Sequence, residues 1–530
     1  MESIAQRLSI VLLIIAAALV ASCATDDETA SPSTGSPSAA VAPGTAIPSA
    51  SPPEQVVPST TPAPATPAPT GEPAETPTPA PTGAPADQRT VTYRAAEDIL
   101  DAQYTADGKI VLATRDSDID VVGVVTLDAS GRVLPGWPWS SGDDSTFVEV
   151  ALGPDHSVYA AVRTWAGTAG DFTWQLHRLD VGGAEMAGFP VALPDGSFCQ
   201  LVSRSDGAVV STCSIREDEA GRETTTVGVV RPDGSTPAGW PVILHPSAEI
   251  VGLGRDDAVA LKLVGVSGPA RIRVVEANGQ LADGWPRRIH RDATVQVDAR
   301  GRVHVSWTTY RSVACGRPKQ TTYAVYRPDG TVISGWPVTL GGWASTPLLA
   351  DDGTATVLTG SGRAIRYDVR GRVVAGWPVE NVPVAVGCAE GNAPVDAGGG
   401  AVVVASGRSA VLLEGDGSIA RGWPVELPLT AASRCPSCTP GPSAALPPAA
   451  GAQAVWVAAY RNSRPQALRI DRRGSRQPIS RMAIGKRGDD VWWVRVAPNG
   501  RVWALVSRWS DARDAEINLL VPVGEDEPLG

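Results

Sequence analysis

The sequence predicts an all-β fold closed into a ring of repeated units, and three observations carry that prediction. An eight-residue signature, Gly-x-x-x-x-Gly-Trp-Pro, recurs at Gly131–Pro138, Gly234–Pro241, Gly279–Pro286, Gly330–Pro337, Gly371–Pro378 and Gly417–Pro424, with Phe189 in place of Trp at Gly183–Pro190. Its aromatic positions lie 41 to 52 residues apart, the period of units built from four short strands. The composition, with 55 Gly and 46 Pro against 4 Phe in 530 residues, favours short strands and many turns over helical cores. Together these predict a single closed β-propeller of about eight or nine four-stranded blades over residues 90–525, followed by a short tail at 526–530.

Within a unit the pattern is constant. Unit one reads as an alternating strand from Ile99 to Ala106, an Asp107-Gly108 turn, and a second strand from Lys109 to Thr114. A variable loop follows, then a third strand from Val121 to Asp128, a turn closing on Gly131, and a fourth strand from Arg132 to Trp139 that includes Gly-Trp-Pro. The turn glycines supply the positive φ that such hairpins need. After Pro424 the signature decays: residues 441–484 keep the strand spacing, and Val491–Val523 offers only three strands. Thr90–Arg94 is the free strand that can complete this last unit, pairing the two ends of the chain and removing the exposed edges of an open array. The signature tryptophans are read as core between blades.

The segments ahead of the ring are of different kinds. Residues 9–21 form an apolar run too short to span a bilayer, ending in Val20-Ala21-Ser22-Cys23. That ending resembles the bacterial lipoprotein lipobox, although Arg7 is the only basic side chain before it. The resemblance implies a signal peptide at 1–22, cleavage before Cys23, a diacylglyceryl thioether on Cys23, and a protein held by its lipid to the outer face of the cell membrane. Residues 24–88 contain 16 Pro, no Lys or Arg and no large aromatic. Such a stretch cannot bury enough apolar surface to offset its ordering entropy, so 23–89 is read as a disordered tether. The tether carries seven of the acidic residues; residues 89–530 hold 44 Lys plus Arg against 48 Asp plus Glu, a net of −4. Neither a nucleic-acid surface nor a polybasic membrane patch is indicated.

Over residues 90–525 the chain resembles propellers of the pyrroloquinoline-quinone-like, FG-GAP-like and WD40-like kinds, which share a unit of similar length, a recurrent Asp/Gly turn and a late Trp or Phe. Quinoprotein enzymes of that resemblance space Gly and Trp four apart and sialidase boxes three apart, whereas all seven copies here place the first Gly six before the aromatic. No pyrroloquinoline quinone is therefore expected, and no calcium, since the Asp-Gly steps are separated rather than clustered as Asp-x-Asp-x-Asp-Gly. Asp116-Ser117-Asp118-Ile119-Asp120 has the alternating carboxylates of a calcium loop but no Gly at the sixth position and no following Glu, and is read as an exposed acidic loop.

Six cysteines remain after Cys23, an even number in a chain read as exported, which favours disulfides. Cys199 and Cys213 are equidistant from Asp206 in one hairpin and are predicted to pair; Cys435 with Cys438 and Cys315 with Cys388 is the preferred remainder. The five histidines, His156, His177, His245, His290 and His304, show no metal spacing and are read as surface or strand-packing residues. No nucleophile, phosphate-loop or dinucleotide motif is present, so no catalytic residue is assigned.

Trp165, Trp174, Trp307, Tyr310, Trp343 and Trp509 lie outside the signature, near second-to-third-strand loops or a blade connection, and are the candidate ligand-binding residues. The expected function is a monomeric, non-catalytic scaffold binding an envelope protein or a cell-wall glycan. The alternative is an envelope enzyme, a quinone-dependent dehydrogenase or a carbohydrate-active hydrolase or lyase. Converging Asp or Glu with an Arg at the central channel would favour the enzyme; a channel of small apolar residues would favour the scaffold.

Overall fold

In the computed structural model, residues 93–94, 98–116, 121–142, 145–165, 172–194, 196–216, 223–265, 268–312, 317–383, 394–406, 409–427, 449–450, 454–461, 464–472, 479–487, 489–510 and 515–523 are described. Cys23, Cys315, Cys388, Cys435, Cys438 and residues 117–120 lie outside them, as does the side chain of Trp509.

The described strands form eight four-stranded antiparallel sheets and one three-stranded sheet, each a blade built from strands consecutive in sequence except the last. Blade 1 consists of Asp98–Tyr104, Ile110–Asp116, Val121–Leu127 and Trp139–Ser140. Blades 2 to 5 begin at the inner strands Ser145–Leu152, Phe198–Ser203, Ala248–Leu253 and Thr294–Val297, and blades 7 and 8 at Val395–Gly398 and Ala449–Ala450. Blade 6, the three-stranded sheet, contains Leu348–Leu349, Ala355–Leu358 and Ala364–Tyr367, and a single bridge from Ala364 to Val379 stands where its outer strand would run. Blade 9 contains Asp490–Val496, Val502–Ser510 and Ala515–Val523, and its outer strand is Tyr93–Arg94, with Tyr93 opposite Leu520 and Arg94 opposite Leu519. The chain ends close the ring as the incomplete last unit required.

The core lies between blades rather than within them. Each hydrophobic cluster draws on neighbouring sheets: Cys199, Val209 and Cys213 of blade 3 pack with Tyr159, Trp174 and Leu176 of blade 2. Ala497, Trp503, Leu505 and Leu520 of blade 9 join Ile110, Leu112 and Leu127 of blade 1 across the closure. A sheet buried on both faces cannot alternate polar with apolar, and Val121–Leu127 is buried at six of its seven positions.

The signature forms a joint rather than a strand, which corrects the expected fourth strand. After the turn at Gly131, Val133 makes one bridge to Leu127, the chain turns again at Gly136, and regular pairing resumes beyond Pro138 at Trp139 and Ser140. The Trp-Pro or Phe-Pro bond of all seven copies is cis. The second glycine has positive φ, 84° at Gly376, and a Cβ there would run into the Asp416 carbonyl of the next blade. Gly136 meets Gly182, Gly284 meets Asp329 and Gly335 meets Arg370 in the same way. The indole N–H then spans the seam: Trp137 donates to Val181 O at 3.2 Å, Trp240 to Ala277 O at 3.0 Å, Trp285 to Pro328 O at 2.7 Å and Trp377 to Gly415 O at 3.3 Å. Each acceptor lies two residues before the next signature glycine. Trp336 and Trp423 are equally buried but their indole nitrogens have no described acceptor. The spacing of six therefore fits each of the first six copies of the motif to the copy that follows it.

Candidate functional site

The two faces of the ring are built from different material. On one lie the first-to-second and third-to-outer turns. There an Asp side chain accepts the backbone N–H two residues on, as Asp233 does from Ser235 at 2.9 Å and Asp416 from Ser418 at 2.9 Å. The Ser235 and Ser418 hydroxyls, which donate to the same carboxylates at 2.6 and 2.7 Å, and secondarily these backbone bonds, hold both carboxyls below the usual carboxylate range. Arginines from one blade reach turn carbonyls of the next: Arg178 to Pro232 O at 2.6 Å, Arg302 to Gly353 O at 3.2 Å, Arg366 to Gly415 O at 3.2 Å and Arg501 to Ala129 O at 2.8 Å.

Blade 5 adds a buried network on that side. His304 Nε2 meets Asp298 Oδ2 at 2.9 Å, His304 Nδ1 meets the Tyr323 hydroxyl, and Arg302 Nε donates to Asp298 Oδ2 at 2.6 Å. Burial would raise the Asp298 pKa, but hydrogen bonds from His304 and the Arg302 backbone, with the Arg302 charge, hold it well below the usual range. Burial pushes His304 down despite Asp298, and pushes the Tyr323 hydroxyl up. His304 is thus a strand-packing residue, as the sequence predicts, and also a member of a closed internal network. With Tyr323 donating to Nδ1 and Nε2 donating to Asp298, every polar atom of the imidazole is satisfied, and the group has no open side for a substrate.

The other face carries the second-to-third-strand loops and the starts of the inner strands, and here aromatic side chains gather. In blade 2, Trp165 ends the second strand and Phe172 begins the third, directly paired in register, with ring centroids 5.6 Å apart. The Arg163 guanidinium lies over Phe172 at 4.4 Å and beside Phe147 at 6.0 Å, and Phe147 meets Phe198 of blade 3 at 5.8 Å. Arg163 is held by Nε donating to Thr146 Oγ1 at 3.0 Å and Nη1 donating to Ser197 O at 2.9 Å. Burial, and secondarily the charge of Arg115, lower its pKa. Trp165 and Phe198, at the ends of the row, are 47% and 45% exposed, and Phe172, Arg163 and Phe147 between them are half-buried. It contains three of the four phenylalanines in the chain.

The six predicted candidates divide. Trp165 and Tyr310 are exposed, at the ends of strands in blades 2 and 5. Trp174 is a correction: it lies within the third strand of blade 2, is 1% exposed, and donates to Gly196 O at 2.7 Å, which makes it core. Trp307 is half-buried within a strand and packs on the blade 4–5 cluster, and Trp343 is half-buried with its carbonyl accepting from Gly360 at 2.8 Å. Trp509 is opposite Glu516 in blade 9. Among the described residues none of the six forms a ring pair with another; Trp165 is joined instead by Phe147, Phe172, Phe198 and Arg163, which the sequence reading passed over. Their signal was the clustering of a rare residue type at strand ends that border one loop face.

Cys199 and Cys213 are directly opposite in register and form the predicted disulfide, close beneath Phe198. At the central channel the inner strands bring Asp101 and Glu149 near each other. Asp101 accepts from Ala102 N at 2.7 Å and from Gln103 Nε2 at 3.1 Å. Burial and the Asp101 charge push Glu149 up to about 7. Arg495 of blade 9 donates to Ala102 O at 3.2 Å. The channel edge here is neither small and apolar nor a full convergence of acids on an arginine. No group of three or more His, Cys, Asp or Glu able to hold a metal occurs among the described residues.

The described structure defines the chain as a β-propeller protein. No family model matches the chain, and no curated protein matches it. Among solved structures it is similar to a eukaryotic initiation factor, with 14% identity over 74% of this chain and 89% of that one and a TM-score of 0.48. It is also similar to the polysaccharide lyase Uly1, with 11% identity over 84% and 94% and a TM-score of 0.34, and to a glucose dehydrogenase, with 13% identity over 53% and 100% and a TM-score of 0.26. At these values no activity transfers to this chain.

Proposed function

We propose that this protein is a lipid-anchored, extracytoplasmic binding scaffold, a monomeric and non-catalytic propeller tethered through Cys23 that holds an envelope protein or a cell-wall glycan on its loop face. The observation that carries the reading is the row Trp165, Phe172, Arg163, Phe147 and Phe198, exposed at both ends and set on the face away from the signature turns. Exposed aromatic rings beside a fixed guanidinium are the composition of binding hot spots. No cofactor is part of this reading, neither calcium nor pyrroloquinoline quinone.

A pull-down from intact envelopes with the full chain, beside a glycan array, tests the binding role. A defined partner that is lost on Trp165→Ala supports it, and recovery of nothing above background overturns it. The anchor has its own test: a fatty-acid label should be incorporated by the wild type and not by Cys23→Ala. The second reading, an envelope enzyme of the propeller resemblance, has one observation in its favour, the Asp101–Glu149 pair with Glu149 titrating near neutrality. Turnover of an envelope polysaccharide or a sugar alcohol that disappears in Glu149→Gln would establish it in place of the scaffold.

A further inference from the structure

Resting on the scaffold reading, the aromatic row can be given a ligand class. The steps along it, from Trp165 to Phe172 at 5.6 Å, Phe172 to Arg163 at 4.4 Å, Arg163 to Phe147 at 6.0 Å and Phe147 to Phe198 at 5.8 Å, are each on the scale of one sugar ring, and they run from the second strand of blade 2 to the inner strand of blade 3. The platform is rigid. Edge-to-face packing fixes Phe172 against Trp165 and Phe147 against Trp174, whose indole is anchored to Gly196 O, and the Cys199–Cys213 bridge ties the hairpin that carries Phe198. Rings held in this way offer faces to bind without a large ordering cost.

The cation chooses between classes of partner. Arg163 commits Nε and Nη1 to Thr146 and Ser197, and it meets no carboxylate among the described residues. Nη2 is the donor left over. A proline-rich peptide would stack on the same rings but bring no anion to the guanidinium, and a neutral glycan would use the rings alone. An acidic glycan satisfies both, with sugar faces on Trp165 and Phe198 and a carboxylate on Arg163.

We propose that the row Trp165–Phe172–Arg163–Phe147–Phe198 is a binding site for a uronate-bearing polysaccharide strand, with the aromatic rings stacking sugar faces and Arg163 receiving a carboxylate. The site binds an extended chain across blades 2 and 3 and requires no chemistry.

The test uses the full chain, with polygalacturonate and its methyl ester as probes, read by calorimetry. The wild type is expected to bind polygalacturonate, to weaken as salt is raised, and to bind the neutral ester far less. Trp165→Ala and Arg163→Gln should each weaken binding by about tenfold or more, Arg163→Lys should retain part of it, and Ile419→Ala, an exposed side chain of blade 7, should change nothing. Melting temperatures of Trp165→Ala and Ile419→Ala should match the wild type, and those of the two Arg163 variants should fall only slightly, by the hydrogen bonds to Thr146 and Ser197 that they lose or weaken. Equal binding of the ester, or indifference to Arg163→Gln, overturns the acidic-glycan inference while leaving a binding scaffold in place. Failure to bind either polymer, with an envelope protein still captured through Trp165, overturns the inference and supports the broader reading. Failure of both overturns both.

Discussion

The two faces of this ring divide its labour in a way that a comparison of two tryptophans makes plain. Trp336 belongs to the signature, is 7% exposed, and packs edge-on against Tyr323 of its own blade at 4.6 Å and Tyr367 of the next at 5.5 Å. Trp165 belongs to no repeat, is 47% exposed, and stands on Phe172 at a loop rim. The first kind recurs because each seam poses the same packing problem. The second occurs once, on the surface proposed here for binding.

The comparison breaks most readily at the seams. Gly335→Val places a side chain in backbone with φ of 93° and against the Arg370 carbonyl, and is expected to cost more than about 4 kcal/mol or to prevent folding. Trp336→Ala empties a site filled from two blades and should cost about 3–5 kcal/mol in a denaturant titration. Trp165→Ala should stay within about 0.5 kcal/mol of the wild type in the same experiment. If the two tryptophan variants melted alike, the division between faces would be wrong.

The disulfide sharpens the comparison at intermediate size. The Cys199–Cys213 bridge closes a separation of 14 residues, and replacing both by Ala should lower stability by about 2–3 kcal/mol in the loop-closure account. The loss would fall on the hairpin beneath Phe198, so ligand binding at the row should weaken along with stability, whereas Trp336→Ala should leave binding by the remaining folded fraction unchanged.

Smaller effects separate two titrating groups by sign. The His304 pKa is held down chiefly by burial, so as pH falls below about 6.5 the unfolded chain takes up a proton that the native state refuses, and stability is lost. The Asp298 carboxyl, also held low, adds a loss that sets in only below about pH 4. Glu149 behaves oppositely. Its native pKa is pushed up to about 7, so stability falls as pH rises from about 4.3 toward that value. Denaturation midpoints measured from pH 5 to 7.5 should therefore lose their acid-side decline in His304→Gln and their rise toward acid pH in Glu149→Gln. A His304→Gln profile parallel to the wild type would mean that the buried network does not titrate in this range.

Much of this architecture was legible in the chain. The hairpin symmetric about Asp206 gave the Cys199–Cys213 register, and the missing strand after Val523 pointed to Thr90–Arg94, whose Tyr93 and Arg94 pair as required. Local periodicity and turn chemistry set these, since they depend on spacing along one chain. The signature's true shape was not legible. A Gly-Trp-Pro segment reads as strand until the neighbouring blade is present to show why two glycines and an indole are needed where they are.

The sequence alone determined the ring, because a repeat that buries its apolar faces only against its own copies has to stack and close. Tertiary structure alone decided which aromatics are available. Trp165 and Trp174 lie nine residues apart beside the same loop and look equivalent in the sequence. Only the packing of Phe147 and the Gly196 carbonyl puts one in the core and leaves the other in water. Exposure is a property of what surrounds a side chain, and here those neighbours come from two blades, brought together by folding across stretches of chain that no local pattern connects.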